Sequence, residues 1–124
     1  MMELTINGQV YSFNFGMGFL REANKLVVET VKDSGVKKNV GLNYMVAGLI
    51  DGDVEDLEDA LLLANKGQNP RLTRDLLDSY IDDPNTDIDE LFSTTLDFLS
   101  KTNATKKATT NLLEKVEEMR ASRS

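Results

Sequence analysis

The sequence reads as a mainly α fold: an N-terminal β-hairpin, a compact bundle of about five helices and a C-terminal helical segment. Three observations predict it. Asn7-Gly8 sits between two runs that alternate apolar and polar residues, the strongest short-range hairpin signal. From Met17 onward, apolar residues recur at three- and four-residue spacing, the period of a one-sided helix. Start and stop residues punctuate that pattern: Asp53, Thr73 and Asp87 can open helices, while Gly35, Asn65-Lys66-Gly67 and Pro84 can close them.

A two-residue turn at Asn7-Gly8 sets Met2 opposite Phe13, Leu4 opposite Tyr11 and Ile6 opposite Gln9. Met2, Leu4, Ile6, Tyr11 and Phe13 then share one face, so register and hydrophobic pattern agree. A lone hairpin is marginal in water, so helices or another chain must cover that face. The spacing next predicts a helix over 17–34, with Phe19, Leu20, Ala23, Leu26, Val27, Thr30 and Val31 on its apolar side. Gly35 suits the position after its end. Residues 35–41 read as a loop. A short helix over 42–50 buries Leu42, Met45, Val46, Leu49 and Ile50 and leaves Tyr44 partly exposed.

Asp53 caps the following helix, and Glu55, Asp56, Glu58 and Asp59 lie near its positive N-terminal end. Its apolar face is Leu57, Ala60, Leu61 and Ala64. Asn69-Pro70 is a break. Thr73 caps a helix over 74–82, with Leu72 as a staple toward Leu77 and with Leu76, Leu77, Tyr80 and Ile81 inward. Asp87 with Glu90 opens another helix that runs through Ile88, Leu91, Phe92, Leu96 and Leu99 to about residue 102. Residues 100–111 (SKTNATKKATTN) hold no large apolar side chain and read as a linker or a solvated stretch of helix. An amphipathic segment over 112–121 ends the chain, with Leu112, Leu113, Val116 and Met119 on one face and Arg120 and Arg123 near its C-terminal end. The expected organisation is a hairpin-plus-helix domain over 1–102, then a polar linker and amphipathic helix over 103–124.

Composition narrows the function. The 124 residues include 21 acidic and 14 basic side chains, a net charge of −7, and no Cys, His or Trp. Without Cys or His there is no disulfide, no zinc site of the usual kind and no Ser-His or Cys-His nucleophile pair. The basic residues are outnumbered and scattered, so nucleic acid is not the expected partner. No run approaches the ~18 apolar residues of a membrane span. The N-terminus lacks the charged and apolar regions of a signal peptide, so the expectation is a soluble intracellular protein.

Three constellations invite chemical readings. Asp51, Asp53 and Glu55 open like a calcium loop, but Asp56 stands where that loop needs Gly and Leu62 where it needs Glu. These carboxylates read as helix-capping charges. Gly16-Met17-Gly18 precedes a helix but lacks the third glycine or the Gly-Lys-Ser/Thr of a phosphate loop. Among 21 acidic residues no pair stands out for acid–base work. We expect no catalytic, cofactor-binding or metal-binding residues and no enzyme.

The segment MELTINGQVYSFNFGMGFLREANK resembles the N-terminal signature of tail assembly chaperones of siphophages that infect Gram-positive bacteria. The likeness lies in the strand, Asn7-Gly8, the aromatic strand ending Phe13-Asn14-Phe15-Gly16, and the helix opening Phe19-Leu20-Arg21-Glu22. Residues 42–63 resemble the family's central helices, and DLLDSYIDD resembles a segment closing on Tyr80 and Ile81. The resemblance covers roughly the first hundred residues. It implies a small acidic homo-oligomer that binds the tape measure protein, keeps it soluble and helps the tail tube polymerise around it. A longer frameshifted form would contact the tail tube protein. The family's place is the host cytoplasm, outside the mature virion. Apolar patches must then cover the client while charge faces water. The candidate partner-binding residues are Phe19, Tyr44, Leu112, Leu113, Val116 and Met119. The alternative reading is a structural head–tail connector or tail terminator retained in the virion.

Overall fold

A computed structural model describes residues 1–122; Arg123, predicted near the last helix end, lies outside the described residues. The first hairpin is β1 (Met2–Ile6) with β2 (Gln9–Phe13), antiparallel in the predicted register of Met2 with Phe13, Leu4 with Tyr11 and Ile6 with Gln9. Asn7 and Gly8 both take positive φ, 51° and 75°, as the tight turn between twisted strands requires. Met2, Ile6, Tyr11 and Phe13 are buried, and the hairpin packs on helices rather than standing alone.

Six helices follow among the described residues: α1 (Met17–Asn24), α2 (Gly41–Ile50), α3 (Val54–Asn65), α4 (Arg74–Asp82), α5 (Ile88–Lys101) and α6 (Lys106–Ser122). Three predicted caps are in place. Asp53 Oδ1 accepts from the Asp56 N–H at 3.2 Å, Thr73 Oγ1 from Leu76 at 3.3 Å and Asp87 Oδ1 from Glu90 at 3.0 Å. Leu72 and Leu77, the predicted staple, are both buried. One core joins the hairpin to α1 through α5, with Ala108 and Leu112 of α6 packed against it.

The long helix predicted over 17–34 is corrected. The helix stops at Asn24, and the chain makes a second antiparallel hairpin, β3 (Val28–Thr30) with β4 (Lys37–Asn39). Two causes act together. Val27, Val28, Thr30 and Val31 are β-branched and favour extended backbone. Asp33 and Gly35 take left-handed φ of 65° and 70° between the strands, a conformation that ends a helix and reverses a chain. Leu26 and Val31, expected inward, are 58% and 45% exposed. Residues 35–39, expected as loop, supply β4 and its approach. The end of α1 is then tied to the start of α2, where Asn24 Oδ1 accepts from the Leu42 N–H at 3.1 Å.

The polar stretch before residue 112 also behaves differently from a linker. It contains the first turns of α6, which packs against α2 and α5. Thr95, Thr105 and Thr109 are buried, each with its hydroxyl donating to a backbone carbonyl: Leu91 at 2.8 Å, Leu99 at 2.7 Å and Thr105 at 2.8 Å. Bonding to a nearby carbonyl in this way spares each buried hydroxyl the cost of an unsatisfied donor. Among the described residues no buried side-chain polar atom lacks a partner.

Candidate functional site

An open groove runs between α3, the connection after α1 and the segment leading into α4. Leu26, Leu62, Leu63 and Leu72 contribute its apolar lining, and Asp59, Lys66, Arg71 and Arg74 its charged surround. Its volume is about 590 Å3. The groove exists because α3 carries three consecutive leucines. A helix turns 100° per residue, so Leu61, Leu62 and Leu63 cannot all point into one core. Leu61 is buried, while Leu62 and Leu63 are half-buried and form the groove side.

Asn65, buried behind the groove, holds its far wall at Leu72 in place. Its Oδ1 accepts from the Leu72 N–H at 2.6 Å, and its Nδ2 donates to the carbonyls of Ser12 at 3.0 Å and Pro70 at 3.3 Å. One buried amide therefore holds the hairpin, the end of α3 and residues 70–72 together. Ion pairs brace the rim. Arg74 reaches Glu58 at 2.7 Å and Asp59 at 3.1 Å, bridging α4 to α3, and Lys66 reaches Glu22 of α1 at 3.6 Å. Burial first, and a hydrogen bond shared with Asp78 second, raise the Glu58 pKa, with Arg74 opposing. Burial also raises the Asp56 pKa, helped by its neighbours Asp53, Asp59 and Glu55.

The predicted partner-binding residues do not form one patch. Phe19 is 3% exposed and meets Phe15 edge-to-face with ring centroids 5.0 Å apart. Its place on the exposed surface is corrected: it is a core residue, because α1 packs on α2 and α3 and turns Phe19 into the common core beside Phe15. Tyr44 is 53% exposed, and its hydroxyl donates to Glu29 of β3. That hydrogen bond, with the negative charge of Glu29, raises the Tyr44 pKa. Leu112, Leu113 and Val116 are half-buried on α6, with Leu112 against the core, and Met119 is exposed. The acidic segment 51–59 serves α3 as caps and rim. Among the described residues no group of His, Cys, Asp or Glu converges as a metal ion requires.

Tyr44 anchors the second hairpin to α2. Replacing Tyr44 by Phe removes that hydrogen bond and little else, since the ring is exposed. Backbone amides of residues 28–39 are expected to exchange faster in Tyr44→Phe, with an unchanged urea midpoint. Hydrogen exchange read by mass spectrometry checks this, and equal protection in the two proteins would refute it.

A family model described as phage tail assembly chaperone protein, TAC, matches residues 3–114. The chain belongs to that family. No curated protein and no solved structure matches it. The match begins in the first hairpin of this tail assembly chaperone and ends inside α6, so it takes in both hairpins, every groove residue and the buried threonines. The sequence resemblance, by contrast, extends over roughly the first hundred residues. Leu62 and Leu63 escape the sequence reading because it assigns a single apolar face to their helix. The signal is present in the Leu61-Leu62-Leu63 run, which exceeds what one face can bury. Among the described residues no helix is long and apolar enough to cross a membrane.

Proposed function

We propose that this chaperone binds the tape measure protein, laying an amphipathic client helix in the groove beside α3. The supporting observation is an open apolar channel rimmed by both signs of charge. Leucines receive the apolar stripe of a helix, and the flanking Asp59, Lys66, Arg71 and Arg74 meet its polar flanks. The reading is a holding activity without catalysis. Each contact is modest, and many subunits along one long client multiply it. The complex forms in the host cytoplasm, and the chaperone leaves before the virion matures. A longer frameshifted form would bring in the tail tube protein.

Co-expression with the tape measure protein tests the reading. The client is expected in the soluble fraction only when the chaperone is present. Leu26→Asp places a charge on the groove lining at a residue already 58% exposed, so the fold is retained while client affinity falls about tenfold. A client equally insoluble with and without the chaperone, or equally well held by Leu26→Asp, would reject the groove. Stoichiometric recovery of the chain from purified virions would instead identify a structural tail component.

A further inference from the structure

The second hairpin is a solvent-exposed arm. Every residue from Val28 to Asn39 is exposed, including Val28, Val31 and Val36 at 54%, 45% and 57%. Strands of three residues supply few ladder bonds, and a two-stranded ribbon of that size is marginal in water. Register puts Val31 and Val36 together beyond the Glu29–Lys38 pair, with a hydrogen bond from Val31 N–H to Val36 O at 2.7 Å. The arm therefore ends in an apolar pair flanked by Lys32 and Lys37.

Charge identifies what would cover it. Residues 25–40 hold Lys25, Lys32, Lys37 and Lys38 against Glu29 and Asp33, a net +2 in a chain of −7, so the remainder carries −9. The arm is a cationic apolar projection on an acidic body. That body also presents a matching surface. Between α3 and α4 lies a notch of about 200 Å3 in which Val54 and Ile81 sit among Glu55, Glu58, Asp78 and Asp82. Its alternation of branched apolar and acidic side chains complements the alternation of Val and Lys in the arm.

We infer that the arm docks on a second copy of this chain, its Val31/Val36 tip against Val54 and Ile81 and its lysines against the acidic rim of the α3–α4 notch. Arm and notch are different surfaces, so the contact is heterologous: each copy offers its arm to one neighbour and its notch to another. Such a contact propagates as an open array or closes into a ring. Glu58 is already paired with Arg74 at 2.7 Å, so Glu55, Asp78 and Asp82 are the carboxylates of the notch that meet the lysines. The groove beside α3 is not part of the contact, and client binding is read separately.

The experiment is analytical ultracentrifugation of the full chain with a charge swap. Wild type is expected to sediment as oligomers of a 13.8 kDa chain at low salt and to dissociate at high salt, as exposed charge pairs require. Lys37→Glu/Lys38→Glu reverses the arm, and Asp78→Lys/Asp82→Lys reverses the notch. Each double variant alone should be monomeric. An equimolar mixture should associate again, because each variant's altered surface faces its complement on the other. Wild type that stays monomeric throughout, variants that stay oligomeric, or a mixture that fails to associate would overturn the arm-in-notch contact. Co-expression with the client reads the groove independently of all three outcomes.

Discussion

Gly41→Ala is expected to be the most damaging single-methyl change in this chaperone, lowering stability by about 3 kcal/mol. Gly41 is the buried first residue of α2, and a Cβ built there would lie 1.9 Å from the carbonyl oxygen of Ala23 and 3.0 Å from its carbon. The obstacle is backbone, so no rotamer change can relieve it. Helices α1 and α2 would have to separate, and the bond from Leu42 N–H to Asn24 Oδ1 at 3.1 Å would stretch with them. For a domain with a total stability of about 5–15 kcal/mol, that is a large share. Gly18→Ala is the matched control. Gly18 is exposed within α1, and an added Cβ meets nothing within 4 Å. There the substitution gains helix propensity and should stabilise by about 0.5–1 kcal/mol. Urea unfolding of the pair checks both signs. A Gly41→Ala midpoint equal to wild type would mean that α1 and α2 are not in van der Waals contact at this point.

Asn65→Ala is expected to cost about 3–4 kcal/mol and to loosen the groove wall. The buried amide makes three hydrogen bonds, to the Leu72 N–H at 2.6 Å and to the carbonyls of Ser12 and Pro70 at 3.0 and 3.3 Å. Alanine leaves those groups without the amide and opens a small void where it stood. The effect should be regional as well as global, with faster exchange at Leu72. Asn65→Asp separates the acceptor role from the donor role. The introduced carboxylate still accepts from Leu72 but faces two carbonyl oxygens, so burial without a donor raises its pKa in the fold. A folded-state pKa raised above the unfolded value makes the protonated form the stable one. The stability of the Asn65→Asp protein is therefore retained below the ordinary carboxylate pKa and lost as pH rises through the raised one. Thermal melts across acidic and neutral pH test this. A pH-independent difference from wild type would show that the donor side of the amide does not matter.

The parts of the fold legible in the sequence are those set by residues close together in the chain. Asn7-Gly8 and the alternation around it specify a register that neighbouring residues alone can enforce. Asp53, Thr73 and Asp87 cap helices by bonding a backbone N–H three residues away, which is local chemistry. The helices predicted at 42–50, 74–82 and 88–102 correspond to α2, α4 and α5 within a residue. The family is legible for a related reason, since its signature lies in the contiguous hairpin-and-helix opening.

Three features need the whole fold. Leu26, Val27 and Val31 satisfy a helical period as well as they satisfy a strand. The choice between them turns on whether a core exists to receive them, and Leu26 and Val31 stay largely in solvent. Thr105 and Thr109 look solvated in sequence because a hydroxyl is polar, yet both are fully buried with the hydroxyl donating to a backbone carbonyl. Phe19, Leu62 and Leu63 illustrate the same limit at the candidate site. Which apolar residue is core and which lines a groove depends on how α3 is rotated against the hairpin and α4, and Asn65 sets that by bonding to Ser12, 53 residues distant. Chain-local information is enough for most of the elements, for their caps, for the absence of Cys and His chemistry and for the acidic balance. It is not enough to say which apolar faces the core consumes and which remain open, because burial is a competition among all the faces at once and no local window contains the competitors.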